Sequence, residues 1–373
     1  MKFFIIAGEA SGDVHGANLA RELLKIYPDA EFLGTGGINL KSLGQKQYFT
    51  DSDMAIIGFV EVIKKLPFVF KMFSTLEKAV AEEKPDAVIL IDYPGFNLRF
   101  AKKLKKYNIP VIYFVAPQFW VWHYSRIYTL KEYCDLTISI FPFEMDYFKK
   151  ENVPAVYVGN PVIDNFRFNF SDKHEFLKAL SFSGERKIIG ILPGSRKREI
   201  SSLMPAFIDA ALEYDDIDFV ISRADNISDE LISQYVPEKS NIKILPKAQY
   251  DIMKYSDFIW ACSGTVTLET AIMQKPMIIA YSASKINVYL AKKLSNLRTI
   301  GLPNIIAGYE LLPEVHCIGE GSAKKEMIIS AYNKALSNID KIKEELAKIS
   351  ALFEGKTPSK TAAEKIAELL KNK

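Results

Sequence analysis

The segment Asp257-Phe-Ile-Trp-Ala-Cys-Ser-Gly-Thr-Val-Thr-Leu-Glu-Thr-Ala271 decides how the second half of this chain folds. It opens as an apolar strand, turns sharply at Ser263-Gly-Thr265, and continues as a helix. A strand that passes through such a turn into a helix offers unpaired backbone N–H groups to an anion. Glu269, further along that helix, is placed to bind the hydroxyl groups of a ribose.

A second stretch, about seventy residues earlier, repeats the order of strand, turn and helix. Residues 187–192 predict the strand, and Pro193-Gly-Ser-Arg-Lys-Arg-Glu199 predicts a tight Gly194-Ser195 turn with the guanidinium of Arg196 beside the next helix. Two such turns in one half of a protein indicate a site for a nucleotide diphosphate, as in a nucleotide-sugar.

Short apolar runs alternate with amphipathic stretches along the whole chain. The predicted strands are residues 3–7, 31–35, 87–91, 111–115 and 136–140, followed by 187–192, 218–222, 242–245, 257–260 and 277–280. Continuous apolar strands separated by helices are typical of parallel sheets covered on both faces. The expected fold class is α/β, with two Rossmann-like doubly wound domains that face each other across a cleft.

We expect a first domain at residues 1–165, an irregular connector, and a second domain at residues 185–345. Residues 346–373 are rich in helix formers, and we expect helices there to pack back on the first domain. Ligands bind beyond the carboxyl ends of the strands in open α/β sheets. Two facing domains therefore bring two ligands together, as a transferase requires.

Composition excludes several classes of protein. The net charge of +3 gives no support to nucleic-acid binding. The three cysteines are far apart, which fits a reducing cytoplasm and forms no zinc pattern. No apolar run reaches the ~18–20 residues of a membrane span, and the first run is too short for a signal sequence. We expect a cytoplasmic protein without a metal, and we interpret Asp51-Ser-Asp53 as structural.

The motif Gly8-Glu-Ala-Ser-Gly-Asp13 follows the first predicted strand. Its glycines permit a sharp turn, and the next helix start can face an anion. Glu9 interrupts the dinucleotide-binding pattern, which disfavours a dinucleotide. The alternative is a simple turn in which Ser11 or Asp13 caps the helix. The candidate site residues of this segment are Glu9, Ser11, Gly12 and His15.

Asp92 lies in Ile91-Asp-Tyr-Pro-Gly-Phe-Asn97, directly after another apolar strand. A carboxylate at this edge of a sheet can accept a proton from an attacking hydroxyl group. The alternative is a turn that Asp92 initiates and Pro94 stabilises. Asn97 is expected to cap the helix that follows.

Two apolar segments have either a functional or a structural interpretation. The loop Val115-Ala-Pro-Gln-Phe-Trp-Val-Trp-His123 places Trp122 where it can shape an acceptor pocket or contact acyl chains. Residues 59–73 are apolar on most sides and carry three lysines, which suits an anionic membrane surface. Packing in the core is the alternative for both segments.

The ordered set of motifs resembles the lipid-A-disaccharide synthase family, which are inverting glycosyltransferases of the GT-B fold. The resemblance covers nearly the whole chain and is carried by Gly8–Asp13, Gly58-Phe-Val-Glu-Val62, Ile91-Asp-Tyr-Pro94, Pro117-Gln-Phe-Trp-Val-Trp122, Phe141-Pro-Phe-Glu144, Leu192-Pro-Gly-Ser-Arg196, Ser263–Glu269 and Leu302-Pro-Asn-Ile-Ile-Ala-Gly308. It implies a reaction of UDP-2,3-diacylglucosamine with 2,3-diacylglucosamine 1-phosphate that forms a β-1′,6 disaccharide and UDP. It implies no cofactor and no metal.

The resemblance also implies roles for individual residues. Asp92 matches an essential aspartate, Arg196 an essential arginine, and Glu269 a glutamate that contacts the ribose of UDP. The turn of Ser263, Gly264 and Thr265 is expected to meet the diphosphate, together with Gly194 and Ser195, and Asn304 is a further candidate for substrate binding. Gly95 and Asn160 depart from the pattern, because Asp and His are frequent there.

Acylated substrates imply peripheral association with the cytoplasmic face of the inner membrane. The resemblance further suggests a homodimer in which C-terminal helices are exchanged. One alternative is an isomerase similar to the UDP-sugar 2-epimerases, which share the two-domain fold but form no glycosidic bond. The other alternative is a protein that binds a nucleotide-sugar or lipid without catalysis.

Overall fold

The chain forms two compact units in a computed structural model, which describes residues 1–54, 66–121, 123–224, 226–238, 241–283, 299–319 and 321–372. The first unit contains Met1–Asp164 and the chain from Gly355 onward, and the second contains Asn165–Glu354. These limits differ from the predicted domains at both junctions, because residues 165–184 and 346–354 belong to the second unit.

Hydrogen bonds explain why the predicted connector belongs to the second unit. The backbone N–H groups of Asn169 and Phe170 donate to the buried carboxylate of Asp251. The segment then forms a regular helix, Lys173–Leu180, whose first turn is capped by Asp172. At the other junction, the Ser350 hydroxyl donates to the carbonyl of Ile272 in the second unit.

A parallel sheet of seven described strands forms the centre of the first unit, in the order β3-β2-β1-β4-β5-β6-β7. The strands are β1 Lys2–Ala7, β2 Glu31–Gly36, β3 Lys46–Thr50, β4 Ala87–Ile91, β5 Val111–Phe114, β6 Leu136–Ser139 and β7 Ala155–Tyr157. The helices are α1 Ala10–Ile26, α2 Ile38–Ser42, α3 Asp51–Met54, α4 Leu66–Glu83, α5 Pro94–Leu104, α6 Arg126–Tyr133 and α7 Glu144–Glu151.

The second unit has a parallel sheet of six described strands, in the order β10-β9-β8-β11-β12-β13. The strands are β8 Lys187–Leu192, β9 Ile217–Arg223, β10 Ile242–Pro246, β11 Phe258–Cys262, β12 Met277–Ala283 and β13 Glu314–Ile318. The helices are α8 Lys173–Leu180, α9 Lys197–Ala211, α10 Asp229–Ser233, α11 Gln249–Tyr255, α12 Thr265–Ile272, α13 Leu302–Ala307, α14 Lys325–Leu336 and α15 Ile339–Ala351. The last helix of the chain, α16 Pro358–Lys371, returns to the first unit.

Alternation along the strands gives the first sheet two buried faces. Phe4 and Ile6 point to the face covered by α4 to α7, while Phe3 and Ile5 point to the face covered by α1. Helix α16 completes this second face, because Ala362, Ala363 and Ile366 are fully buried against it. Both faces are apolar because parallel sheets are covered by helices on either side.

The predicted class, α/β with two doubly wound parallel sheets, is confirmed. In each sheet the strand order reverses beside the first strand of the unit, so that β1 lies between β2 and β4, and β8 between β9 and β11. Ligands of such folds bind at this switch point, beyond the carboxyl ends of the strands. The site residues of each unit are therefore sought at the ends of β1, β4, β8 and β11.

Candidate active site

Strand β4 ends in a strained turn at Asp92. Asp92 and Tyr93 have φ values of 45° and 46°, in the left-handed region that side chains other than glycine rarely adopt. Pro94 begins α5. Its ring disfavours the right-handed helical conformation in the residue before it, which is Tyr93. Backbone strain in non-glycine residues is concentrated at functional sites.

The surroundings of Asp92 change its acidity. Burial and then the negative charge of Glu9 raise the pKa of the Asp92 carboxyl to about 6, against the opposing effects of the Tyr93 N–H and Arg126. A carboxylate with a pKa near the working pH is suited to accept a proton and to release it again. Arg126 did not enter the predicted site, although it follows the aromatic loop directly.

The ring of Tyr93 explains why the Gly8–Asp13 motif begins with a glycine. A Cβ atom on Gly8 would lie 2.5 Å from Cδ1 of Tyr93, so the aromatic ring needs a residue without a side chain there. Helix α1 begins at Ala10, and Glu9 and Ser11 are exposed at its start, while Gly12 is buried against Ala7. The motif thus joins the end of β1 to the turn after β4.

The alternative interpretation, in which Asp13 caps its own helix, is wrong for this residue. It lies inside α1, and its buried carboxylate accepts hydrogen bonds from the backbone N–H groups of Gly37, Asn39 and Leu40, at 2.7, 2.9 and 3.0 Å. Asp13 therefore caps α2 from a neighbouring helix. Its partners are distant in sequence, so local spacing could not reveal them.

His15 is a neutral side chain at neutral pH, because burial lowers its pKa to about 4. Its Nδ1 atom is buried and has no hydrogen-bond partner among the described residues. A contact between His15 and a substrate stays a prediction.

The aromatic loop after β5 is held by a buried carboxylate. Glu144 accepts hydrogen bonds from Trp120 Nε1 at 3.0 Å and from the Ser139 hydroxyl at 2.6 Å. The Trp120 ring also meets Phe143 edge to face. Trp120 is thus packed in the protein, and burial raises the pKa of Glu144 to about 7. Trp122 lies outside the described residues.

In the second unit, β11 runs into α12 through Gly264. The φ of Gly264 is 155°, which favours glycine, and no other atom lies within 4 Å of the position that its Cβ would take. Gly264 and Thr265 are exposed, so the first turn of α12 opens to solvent at the end of the strand. This is the arrangement that the sequence predicts for an anion site.

Glu269 lies in α12, and its side chain is buried. It accepts hydrogen bonds from Gln249 Nε2 at 3.0 Å and from the Tyr250 hydroxyl at 3.1 Å, and burial raises its pKa to about 7. A carboxylate has about four lone-pair sites, so two donors from α11 leave it able to accept from a ribose. Sequence spacing did not indicate the supporting pair.

The turn after β8 differs from the prediction in one respect. Gly194 has a φ of 102°, and Arg196 is exposed just before α9. However, the N–H groups of Ser195 and Arg196 already donate to the Glu199 carboxylate, each at 3.3 Å, and the Arg196 guanidinium donates to it at 3.0 Å. Glu three residues into a helix is a recognised capping signal. A diphosphate must replace this carboxylate to use the same donors.

Asn304 is fully buried, and its amide is occupied by neighbours. Its Nδ2 donates to the Leu312 carbonyl and to Glu314, and its Oδ1 accepts from the Leu312 N–H, each at 2.8 Å. These bonds hold α13 against the start of β13. Substrate contact by Asn304 stays a prediction.

The described residues contain no group of three or more His, Cys, Asp or Glu side chains arranged to hold a metal ion. In Asp51-Ser-Asp53, Asp53 accepts from the N–H and hydroxyl of Thr50, and Asp51 accepts from the Ser52 N–H. These are local bonds of the turn into α3. In the part of the chain that the structure describes, no helix has the length and apolarity needed to cross a membrane.

Comparison with known proteins gives one consistent family. The family model for lipid-A-disaccharide synthetase matches residues 3–370. A lipid-A-disaccharide synthase of Geobacter metallireducens is 35% identical over 319 residues, which are 84% of this chain and 83% of that protein. The enzyme of the same name from Syntrophus aciditrophicus is 34% identical over 352 residues, or 92% and 91% of the two chains.

Solved structures with a similar fold are more distant. The glycotransferase of kitacinnamycin has a TM-score of 0.67 at 12% identity and covers 99% of both chains. The UDP-GlcNAc 2-epimerase of Neisseria meningitidis, bound to UDP-GlcNAc, has a TM-score of 0.58 at 14% identity and covers 100% of both. At these identities the likeness concerns the fold alone.

Proposed function

The chain belongs to the lipid-A-disaccharide synthase family of hexosyltransferases, and from this premise we propose that it joins two acylated glucosamines. The donor is UDP-2,3-diacylglucosamine and the acceptor is 2,3-diacylglucosamine 1-phosphate. The products are the tetraacyldisaccharide 1-phosphate of lipid A and UDP. The reaction inverts the anomeric centre and needs no metal.

The observation that carries the mechanism is the carboxyl of Asp92 at the end of β4. It lies on a strained turn, at the edge where Rossmann-like sheets bind ligands, and its pKa is raised to about 6. This carboxyl is half ionised near pH 6 and acts as a base at neutral pH. We therefore assign the role of general base to Asp92.

The chemical step moves one proton and exchanges one bond. The 6-hydroxyl oxygen of the acceptor attacks the anomeric carbon of the donor from the side opposite UDP, and its proton passes to the Asp92 carboxylate. The bond between the anomeric carbon and the diphosphate oxygen breaks, and its electron pair leaves on UDP. Exclusion of water from this step prevents hydrolysis of the donor.

The second unit binds UDP in this proposal. The open first turn of α12, after Ser263 and Gly264, and the Arg196 guanidinium meet the diphosphate and stabilise the negative charge that it gains. Glu269 accepts hydrogen bonds from the ribose hydroxyls. On the acceptor side, Glu9, Ser11, Gly12, His15 and Trp122 bind the sugar of the acceptor.

The test measures UDP release from UDP-2,3-diacylglucosamine with and without the acceptor, in the presence of EDTA. The variants are Asp92→Asn and, as a matched control, Asp86→Asn. Asp86 lies just before the other end of β4, where its carboxylate accepts from the Lys2 N–H at 2.7 Å. Removal of a general base lowers the rate by about 10²–10⁴-fold, whereas we expect the control to stay within about twofold, since its exposed side chain is far from the carboxyl ends of the strands.

Each other outcome rejects a stated part of the proposal. UDP release that does not need the acceptor indicates hydrolysis or chemistry like that of the 2-epimerases, which share the fold at low identity. Loss of activity in EDTA that Mg²⁺ restores rejects the metal-free reaction. Equal rates for the wild type and a folded Asp92→Asn variant reject Asp92 as the base.

We also propose that the start of α4 contacts the inner membrane from the cytoplasmic side. Residues 59–65 of the apolar segment lie outside the described residues, but Leu66 and Phe70 are 40% and 67% exposed, and Lys71 is exposed beside them. Phe68 instead packs on the core against Phe49. Exposed apolar side chains with neighbouring lysines suit an anionic lipid surface.

Sedimentation with vesicles of phosphatidylethanolamine and phosphatidylglycerol tests this contact. We expect the triple change Leu66→Ser, Phe70→Ser and Lys71→Gln to lower vesicle binding by about tenfold, because both apolar insertion and charge attraction are lost. The control is Leu336→Ser, a residue of the second unit that is 39% exposed. Equal binding of both variants rejects the surface.

The proposal includes a homodimer that exchanges C-terminal helices. Helix α16 of one chain packs on α1 of the same chain, so exchange would reproduce this contact between two copies. Light scattering after size-exclusion chromatography should give the mass of two chains. A monomer at micromolar concentration rejects the dimer.

A further inference from the structure

The turn after β4 is held partly by side chains that lie outside it. Two consecutive non-glycine residues, Asp92 and Tyr93, adopt left-handed conformations there. Such residues persist only where the surrounding structure over-determines them. The contacts that hold this turn are therefore part of what fixes the direction of the Asp92 carboxyl.

Two fully buried side chains converge on the Asp92 carbonyl. The Tyr113 hydroxyl, from β5, donates to it at 2.7 Å, and Asn97 Nδ2, from α5, donates to it at 2.8 Å. The same Asn97 amide donates to the carbonyl of Ile91 at 3.1 Å. Asn97 thus does not cap the start of α5, as the sequence suggested, but reaches back to the strand end.

The orientation of the Asn97 amide follows from these carbonyls. Its Oδ1 is buried without a hydrogen-bond partner in the described part of the chain, and rotation of the amide would place that oxygen against the two carbonyls. A buried acceptor without a partner lowers stability. The two hydrogen bonds that Nδ2 donates therefore fix the orientation of the Asn97 amide, although its oxygen accepts none in the described part of the chain.

We propose that Tyr113 and Asn97 are positioning residues for Asp92, because they hold the left-handed turn that aims its carboxyl. The inference rests on the proposed function, in which that carboxyl must reach the acceptor hydroxyl. In a relaxed turn the Cα–Cβ bond of residue 92 points in a different direction. A displacement of about 1 Å at a reacting group can lower a rate by about 10²-fold.

The experiment compares Tyr113→Phe and Asn97→Ala with controls that lose the same kinds of bond elsewhere. Tyr255→Phe removes a tyrosine hydroxyl that donates to the Phe170 carbonyl at 3.0 Å. Asn241→Ala removes an amide that donates to the carbonyls of Tyr214 and Ile217, at 3.1 and 2.8 Å. We expect each test variant to lower kcat by about tenfold with KM within about twofold, while each control keeps kcat within about twofold.

The pH profile and the Asp92→Asn background separate positioning from stability. The charged groups that act on Asp92 are Glu9, before α1, and Arg126, at the start of α6, with the Tyr93 N–H beside it. A carboxyl released toward water shifts the acid limb of kcat to lower pH in Tyr113→Phe. In the Asp92→Asn background, Tyr113→Phe should change the residual rate by less than about twofold. An equal loss of rate in both backgrounds, or in test and control variants, overturns the proposal.

A failure of the proposed reaction is distinguishable from a failure of this inference. If the wild type shows no acceptor-dependent release of UDP, the proposed function fails. The positioning role can then be tested without the reaction, by measuring the pKa of the Asp92 carboxyl in a carbon NMR titration. An unchanged value in folded Tyr113→Phe and Asn97→Ala overturns it, and a lower value in either variant, with no change in the two controls, supports it. 

Discussion

The chain turns sharply from a strand into a helix at the ends of both β4 and β11, but with different residues at the bend. At the end of β11, Gly264 takes a φ of 155° in open space, and the chain enters α12 without strain on a side chain. At the end of β4, Asp92 and Tyr93 take left-handed conformations that glycine would adopt more easily. The difference shows what each turn presents. In the proposed mechanism, backbone N–H groups suffice to bind an anion at the first turn, whereas proton transfer at the second needs a side chain.

Replacement of Asp92 by glycine should break this comparison most strongly. Glycine relieves the left-handed strain, so we expect the free energy of unfolding to rise by about 1 kcal/mol, after its larger loss of chain entropy is subtracted. Activity should fall by about 10²–10⁴-fold, because the proposed general base is lost. Urea unfolding and rate measurements on one preparation check both effects. A variant that is both less stable and active contradicts the assignment.

Gly264→Ala should sharpen the comparison from the other side. An alanine at a φ of 155° is strained although space is open, so the first turn of α12 shifts and binding of the donor weakens. We expect KM for the donor to rise by about 10–30-fold, the effect of one or two lost hydrogen bonds to a charged group. Gly95→Ala is the matched control, because Gly95 also has open space but lies in α5 without a positive φ. Similar effects of the two changes would contradict the role of the turn.

The pH dependence should separate the two strand ends. In the proposed mechanism Asp92 acts as its carboxylate, so kcat should fall about tenfold per pH unit below pH 6 and stay level above it. Burial raises the pKa of Glu269 to about 7. The proposal has its carboxylate accept from the ribose, so KM for the donor should rise as the pH falls below 7. Rate profiles from pH 5 to 8.5 measure both limbs. A common midpoint for kcat and KM would contradict separate roles.

The smallest expected effect on activity concerns Glu144, a buried carboxyl after β6 that holds Trp120. Its pKa rises from the usual 4.5 to about 7 in the folded protein, so the folded state binds the proton more tightly. Its contribution to stability is therefore lost as the pH rises from about 4.5 through 7. Glu144→Gln removes this loss, and we expect it to raise the free energy of unfolding by about 2 kcal/mol at pH 8 relative to pH 5. Urea unfolding at both pH values measures the difference, and an equal effect at both contradicts the shift.

The strands that could be predicted from sequence are those with continuous apolar residues. The missed strands are β3, β7 and β13, with the sequences KQYFT, AVY and EVHCI. All three lie at sheet edges, where a strand has one neighbour and more polar residues are tolerated. The composition of β3 and β13 therefore resembles that of a loop, whereas β7 is apolar but only three residues long.

The places of Asp92, Arg196 and Gly264 after strands could be predicted, because continuous apolar runs show where each strand ends. Contact partners could not be predicted where the contact is distant, as for Asp13 with α2 or Tyr113 with the Asp92 carbonyl. The contact of Glu199 with the turn could have been predicted, because a glutamate three residues after Arg196 is a capping signal. The prediction for this segment was drawn from its turn and its basic residues.

Helix α16 has a consequence for how the protein is made. The first unit needs this helix to complete the cover of one face of its sheet, yet the ribosome must translate Asn165–Glu354 before α16 emerges. At about 5–20 residues per second, the delay is on the order of ten to forty seconds. During this interval one face of the sheet is covered by α1 but not by α16, and the exposed apolar residues make the nascent chain a natural client for chaperones. A chain that is truncated within the second unit therefore also lacks α16, and its first unit stays incomplete.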